Sequence, residues 1–432
     1  MSPEPASRRA RGAHQQAVAV RATVQPGRVQ ELRDVLAAMD TAAPGTPTIP
    51  FAEFDEVHFA RLLVLDDEVD PEGRPIPASL MYMSEIDAPL GAHLDHLADR
   101  GGAALDRGFG LCEGYPARPD AAARRHYIEA RLLPAQATYV NTVGRTAGQI
   151  RQEERLRDAI EVFLDGAQDL PSDPVAVRAQ IQAFVRSRPE LAWALRSARP
   201  PALAWRVKEA LHLLAVVIVL TVLTPIILLV LPAYALLLRL HEIREPAPHL
   251  RPDPEHVRRL AAREDRAAHS PFSAVGYVKP GPFRRLTVRL VLWLLHTGSR
   301  HVFTRANLSG IKTIHFARWL VLDDWRRVIF TSNYDGSLES YMNDFIDKVW
   351  YGLNASFSNG VGYPKTRFLL FAGSRQEQQF KDYLRRHQID TQVWYSAYDR
   401  LSALNVENNA LIRSGLSGTL SRADARAWLA RL

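Results

Sequence analysis

Residues 58–67 read HFARLLVLDD, and residues 315–324 read HFARWLVLDD. Only Leu62 against Trp319 differs. A match of that length between distant parts of one chain marks a tandem duplication, which sets domain count and boundaries before any residue has a role. Other pairs fall in the same order: Pro26-Gly27 with Pro280-Gly281, Ser84 and Asp87 with Ser332 and Asp335, Gly114-Tyr115-Pro116 with Gly362-Tyr363-Pro364, and Arg145 with Arg400. The main length difference is the polar, Pro/Gly-rich stretch Glu68 to Pro77 in the first copy, where a turn between strands tolerates insertion.

Each copy carries the same succession of local signals. In the first, Ala17 to Val24 alternates as a strand, Val29 to Met39 has helical spacing, and His58 to Leu65 and Leu80 to Met83 are strands joined as a hairpin. Leu90 to Leu105 is helical. Tyr127 to Leu133 and Thr138 to Asn141 offer strand segments, and Gln149 to Leu164 is a last helix. The second copy repeats this with strands at Ala274 to Lys279, His315 to Leu322, Val328 to Thr331, Phe368 to Phe371 and Gln392 to Tyr395, and helices at Arg284 to Leu295 and Leu338 to Leu353.

The order β-α-β-β-α-β is that of the ferredoxin-like unit, and two such units commonly pair their sheets. The expected fold class is therefore α+β: a tandem ferredoxin-like duplication forming a pseudo-symmetric α+β barrel, with a hydrophobic helical insertion between the copies. The expected organisation is a disordered tail at 1–16, copy 1 at 17–166, a helical linker at 167–270, copy 2 at 271–420 and a C-terminal helix at 421–432.

The linker contains Ala210 to Leu238, whose only ionisable residues are His212 and Tyr234. That run exceeds the ~20 residues needed to cross a bilayer. Pro225 and Pro232 interrupt it, so a re-entrant hairpin and a single span both remain open. The hairpin would keep both copies on one side, expected to be cytoplasmic. Residues 284–295 form a second apolar stretch suited to lying on a membrane. The net charge of +7 has its basic residues mostly beside the apolar segment and in the tail, which argues against nucleic acid as a partner. The single cysteine, Cys112, excludes a disulfide framework. Oligomeric state is not legible.

Candidate chemistry is sparser. No Walker A, GxGxxG, HExxH, CxxC or GxSxG pattern occurs, and no metal ligand set is expected. His58 and His315 head matching strands with Arg61 and Arg318 three positions on. Strict strand alternation puts His and Arg on opposite faces unless a bulge intervenes. Ser332 to Ser337 (SNYDGS) is either a helix cap and turn or a polar site that the first copy, with Ile86, Ala88 and Pro89, has lost. On the second reading Asp335, His315 and Arg318 are the catalytic candidates. The dense aromatics of copy 2 suit a hydrophobic small molecule or a packed core.

The element order and duplication resemble the dimeric α+β-barrel group, which includes chlorite dismutases and dye-decolourising peroxidases. The composite HFARW…SNYDGS…GYP also resembles a bacterial membrane-associated family. SNYDG is similar to the GxxDG motif of the dye-decolourising peroxidases, with Ser332 where that motif has Gly. The resemblance implies haem, with Asp335 as the acid, His387 as an iron ligand, Arg400 as the distal cation, and Asn333 and Tyr334 beside the cofactor. Two functions follow as expectations: a peroxidase-like oxidoreductase acting on a hydrophobic molecule in copy 2, or a non-catalytic membrane-associated binding or scaffold protein.

Overall fold

A computed structural model of the chain describes residues 15–42, 45–87, 89–196, 203–264, 267–303, 308 and 310–432. The first copy comprises β1 (Gln15–Thr23), α1 (Val29–Asp40), β2 (Val57–Leu65), the short hairpin β3 (Glu68–Val69) and β4 (Pro75–Ile76), β5 (Ser79–Asp87), α2 (Leu90–Arg100), α3 (Gly102–Phe109), α4 (Ala121–Glu129), β6 (Ala135–Val140) and α5 (Ala147–Asp165). The connecting region holds α6 (Pro174–Ser187), α7 (Leu203–Arg244) and α8 (Pro254–Ala261). The second copy comprises β7 (His269–Tyr277), α9 (Pro282–His301), β8 (Ile314–Leu322), β9 (Arg327–Asp335), α10 (Leu338–Phe357), the hairpin β10 (Thr366–Arg367) and β11 (Phe371–Ala372), α11 (Glu377–His387), β12 (Val393–Ser396), α12 (Ala403–Gly415) and α13 (Arg422–Leu429).

The fold is mixed α+β, with two four-stranded antiparallel sheets ordered β1-β5-β2-β12 and β6-β8-β9-β7. Each sheet takes three strands from one copy and its fourth from the other. Tyr395 of β12 pairs with Ala60, and at the matching place Tyr139 of β6 pairs with Ala317. The copies are thus not closed units at the boundaries expected for 17–166 and 271–420. Long-range pairing, which local periodicity does not encode, selects the edge strand.

Alternation along the strands sorts two faces. Val20, Ala60, Leu62 and Tyr82 pack outward against Leu32, Leu36, Leu94 and Leu97 of α1 and α2. Ala317, Trp319 and Phe330 pack outward against Leu292, Met342 and Leu384 of α9, α10 and α11. The inner faces meet through Leu63, Met81 and Met83 on one sheet and Leu320, Leu322 and Ile329 on the other. The order of layers is helices, sheet, sheet, helices. Burial of a Leu- or Met-sized side chain contributes roughly 1.5–3 kcal/mol, so this inter-sheet layer is a main source of cohesion.

Several local expectations change. Tyr127 lies in α4, because Asp120 caps a helix there by accepting from Ala123 N. The Leu90 to Leu105 helix breaks at Gly101 into α2 and α3. The Phe368 to Phe371 stretch is the loop of the β10–β11 hairpin and joins neither main sheet. Gln15 and Gln16, placed in the expected tail, open β1, and the rest of that tail lies outside the described residues.

The apolar insertion is one continuous helix. α7 runs 42 residues through Pro225 and Pro232, about 63 Å at 1.5 Å per residue. This overturns the re-entrant hairpin: each proline removes one backbone donor, and the helix continues past both. Its apolar residues from Leu211 to Leu237 are largely exposed, whereas Leu238 is buried. Both ends are fastened to the body. Glu209 pairs with Arg300 and His212 Nδ1 lies 2.8 Å from His301 Nε2 at one end. Tyr234 Oη lies 2.9 Å from Thr287 Oγ1 and Glu242 accepts from Thr366 Oγ1 at the other.

Candidate functional site

The duplicated decamers meet in space. β2 and β8 each carry a bulge at their first histidine, between Val57 and Phe59 and between Ile314 and Phe316. An extra residue in one strand turns its side chain out of strict alternation. The expected separation of His from the Arg-bearing face therefore fails: His58 packs on Phe316 and His315 on Phe59, their ring centroids 5.1 and 5.4 Å apart.

Each histidine engages its own copy's aspartate. His58 Nε2 is 3.1 Å from Asp87 Oδ1, and His315 Nε2 is 2.7 Å from Asp335 Oδ1. The second carboxylate oxygen accepts from the first amide of the following helix: Ala147 N to Asp87 at 2.9 Å, Ala403 N to Asp335 at 2.8 Å. A carboxylate at a helix N-terminus satisfies an orphan amide and meets the positive end of the helix dipole. Retention of Asp and His in both copies thus has a structural cause. The aspartate ties a strand end to the last helix of its copy, and the histidine orients the aspartate.

The arginines form a second pair across the sheets. Arg318 donates to Glu85 Oε1 and to Val18 O, and Arg61 donates to Asn333 Oδ1 and to Phe272 O. Arg61 also reaches Ser273 Oγ and Ser332 O at 2.9 and 3.1 Å. Glu85 and Asn333 hold equivalent positions, each directly after the shared serine. Both arginines are buried. Burial pulls Arg61 down to about 10, against the nearby Glu85 charge and with Arg318 adding to the effect, so it remains a cation at neutral pH.

The residues anticipated from sequence do not gather in one place. His315 and Asp335 touch each other, whereas Arg318 and Asn333 lie between the sheets in separate pairings. Tyr334 is core, stacked on Tyr341 with centroids 4.1 Å apart. His387 ends α11, its Nδ1 donating to Tyr383 O at 2.8 Å. Arg400 is exposed beside Glu154. Sequence reasoning passed over Glu85 and His269 and gave Arg61 no role of its own. The signal for His269 was available, since the offset that aligns Pro26-Gly27 with Pro280-Gly281 sets it opposite Gln15.

A cavity of about 270 Å³ opens between α9, α10 and the outer face of the second sheet. Its lining includes Phe272, Leu295, Trp319, Phe330, Tyr341 and Phe345. That is near the low end of the ~300–1,000 Å³ range of small-molecule sites. Among the described lining residues there is no His or Cys, and the Tyr341 hydroxyl is held by Ser332 at 2.7 Å. His387 faces a separate space of about 40 Å³. Haem needs an axial ligand inside an apolar pocket. The residues present do not fit it, because among the described residues no His lines the roomy pocket and His387 faces only the neighbouring space of about 40 Å³.

Comparison with protein-family models, with curated proteins and with solved structures finds no match to this chain.

Proposed function

We propose that the protein is a membrane-attached binding protein that holds an apolar, chain-like small molecule in the second copy. The observation that carries this reading is the position of the cavity. Leu294 of α9 both lines it and is 59% exposed, beside exposed Leu286, Leu290 and Trp293. Tyr351 and Leu370 add further exposed apolar rim. Behind this rim, Val291 packs on Leu238 of α7, with Leu295 alongside. The mouth therefore adjoins the helix that is long and apolar enough to cross a membrane. An all-round apolar helix belongs in lipid or in a core, and α7 is exposed. Because each sheet borrows a strand from the other copy, a bilayer cannot separate them, so α7, continuous and held by the body at both ends, lies along the membrane and does not cross it. We place both on one side, the cytoplasmic side that a single cysteine suits. The duplicated units with exchanged edge strands support reading the two sheets as one pseudo-symmetric ferredoxin-like assembly.

Binding of a fluorescent fatty acid by the full chain in detergent or vesicles tests this reading. Gly298→Leu fills the cavity, and its Cβ would meet Phe303 at an ordinary 3.5 Å. Saturable uptake by the native chain, lost in Gly298→Leu at unchanged melting temperature, is the expected result. No uptake, or equal uptake by both, overturns it.

A further inference from the structure

The duplication supplies an internal control for one difference between the copies. β1 places Gln15 opposite Asp87, and β7 places His269 opposite Asp335. Both side chains reach the loop before their copy's last helix. Gln15 Nε2 donates to Thr142 O and Arg145 O at 3.1 and 2.6 Å, and His269 Nε2 donates to Leu401 O at 2.6 Å. Hence His269 does what Gln15 does, and it brings a second imidazole to the His–Asp pair. The His269 and His315 centroids are 4.7 Å apart.

The protonation pattern follows from the partners. Leu401 O can only accept, so Nε2 of His269 carries the hydrogen and Nδ1 presents its lone pair. Ser396 Oγ lies 3.2 Å from that Nδ1. In the first copy His58 Nδ1 is occupied by the Tyr398 hydroxyl at 3.0 Å, whereas His315 Nδ1 has no hydrogen-bond partner among the described residues. One donor atom each from His269, His315 and Asp335 lies within 4.8 Å of the other two.

We propose that His269, His315 and Asp335 bind one divalent transition-metal ion. Two imidazoles and a carboxylate suit Zn²⁺ or Fe²⁺, and three protein ligands leave a coordination position open. Tetrahedral zinc sets its donor atoms roughly 3.3 Å apart, so small side-chain rotations close the site. The outer partners are those a metal site uses: Leu401 O holds the far nitrogen of His269, and Ala403 N holds the far oxygen of Asp335. Phe59, Trp394 and Tyr398 ring the histidines, with centroids 5.4–6.2 Å away, and wall the site with aromatic carbon. This site is separate from the apolar cavity and does not depend on what that cavity binds.

The full chain, stripped with chelator and titrated with Zn²⁺ and separately with Co²⁺, tests the assignment. The expected result is one ion per chain by elemental analysis, visible Co²⁺ d–d absorption, and a melting temperature raised by Zn²⁺. His269→Gln installs the residue that the first copy already carries at this place, so the fold is expected to persist. Affinity should fall by about 100-fold or more, since even outer partners are worth 10–100-fold. Asp335→Asn keeps an oxygen for Ala403 N and should weaken binding in the same direction. Substoichiometric metal in the native chain, or His269→Gln binding as tightly as native, overturns the proposal.

Discussion

Arg318 donates through Nε to Glu85 Oε1 at 3.1 Å across the space between the sheets, a buried ion pair where the other copy sets Arg61 against the amide of Asn333. The same scaffold thus holds one charged and one neutral version of a single contact. Removing one partner of a buried pair strands the other charge, at a cost of about 3–5 kcal/mol. Arg318→Met should therefore destabilise by that amount. Arg61→Met strands only neutral acceptors and should cost about 1–3 kcal/mol. Urea midpoints of the two variants measured together check the order, and equal losses would contradict the assignment of Glu85 as the charged partner.

Asp87 links His58 to the first amide of α5. Asp87→Ala should lose about 1–3 kcal/mol, as a cap and a charged hydrogen bond disappear together. Asp87→Asn should recover part of this, because an amide oxygen still accepts from Ala147 N. Thermal denaturation by circular dichroism distinguishes the two.

Gly415, the last residue of α12, sits against the indole of Trp428 on α13. A methyl group there would overlap the ring. Gly415→Ala should destabilise by about 1–3 kcal/mol despite its better helix propensity. Greater proteolysis near 420–432 would mark release of α13.

Burial pulls His387 down to about 4, against the Tyr383 carbonyl that favours the charged form. The unfolded chain protonates this side chain near 6.5. Between pH 6.5 and 4 the unfolded state therefore binds the extra proton, and folding stability drops as pH falls through that window. The contribution is about 3 kcal/mol, levelling off below about pH 4. His387→Leu should flatten the dependence by that amount in denaturant midpoints taken at pH 7.5 and 4.5. A parallel pH dependence in the variant would contradict the burial account.

The exposure of α7 predicts retention in membranes after alkaline carbonate washing. Leu220→Arg with Leu228→Arg should weaken retention, because each replaces an exposed apolar side chain of the lipid-facing surface with a charge. Release of the native chain by carbonate alone would contradict immersion of α7.

Much of the local structure was legible because it is encoded in spacing of 2.0 and 3.6 residues. His58 to Leu65 and His315 to Leu322 read as strands, and β2 and β8 are those strands. The functional residues were less legible. Asn333 read as part of an unmatched polar loop, yet its role is that of Glu85, visible only once Arg61 and Arg318 are seen to cross. The bulges at His58 and His315 have no periodic signature, so strand alternation misdirected the histidines.

The sequence alone determined that a decamer recurs with further pairs in the same order, that most strands and helices fall where they do, and that residues 210–238 are apolar enough to span a bilayer. These rest on identity, periodicity and hydropathy, which are local properties. Tertiary structure decided that β6 and β12 trade sheets, that α7 runs straight through two prolines, and that His269 stands beside His315 and Asp335. Those outcomes depend on which distant edge pairs with which, and on side chains from different strands arriving at one point. Backbone hydrogen bonding between remote segments sets both, and no short window of residues records it.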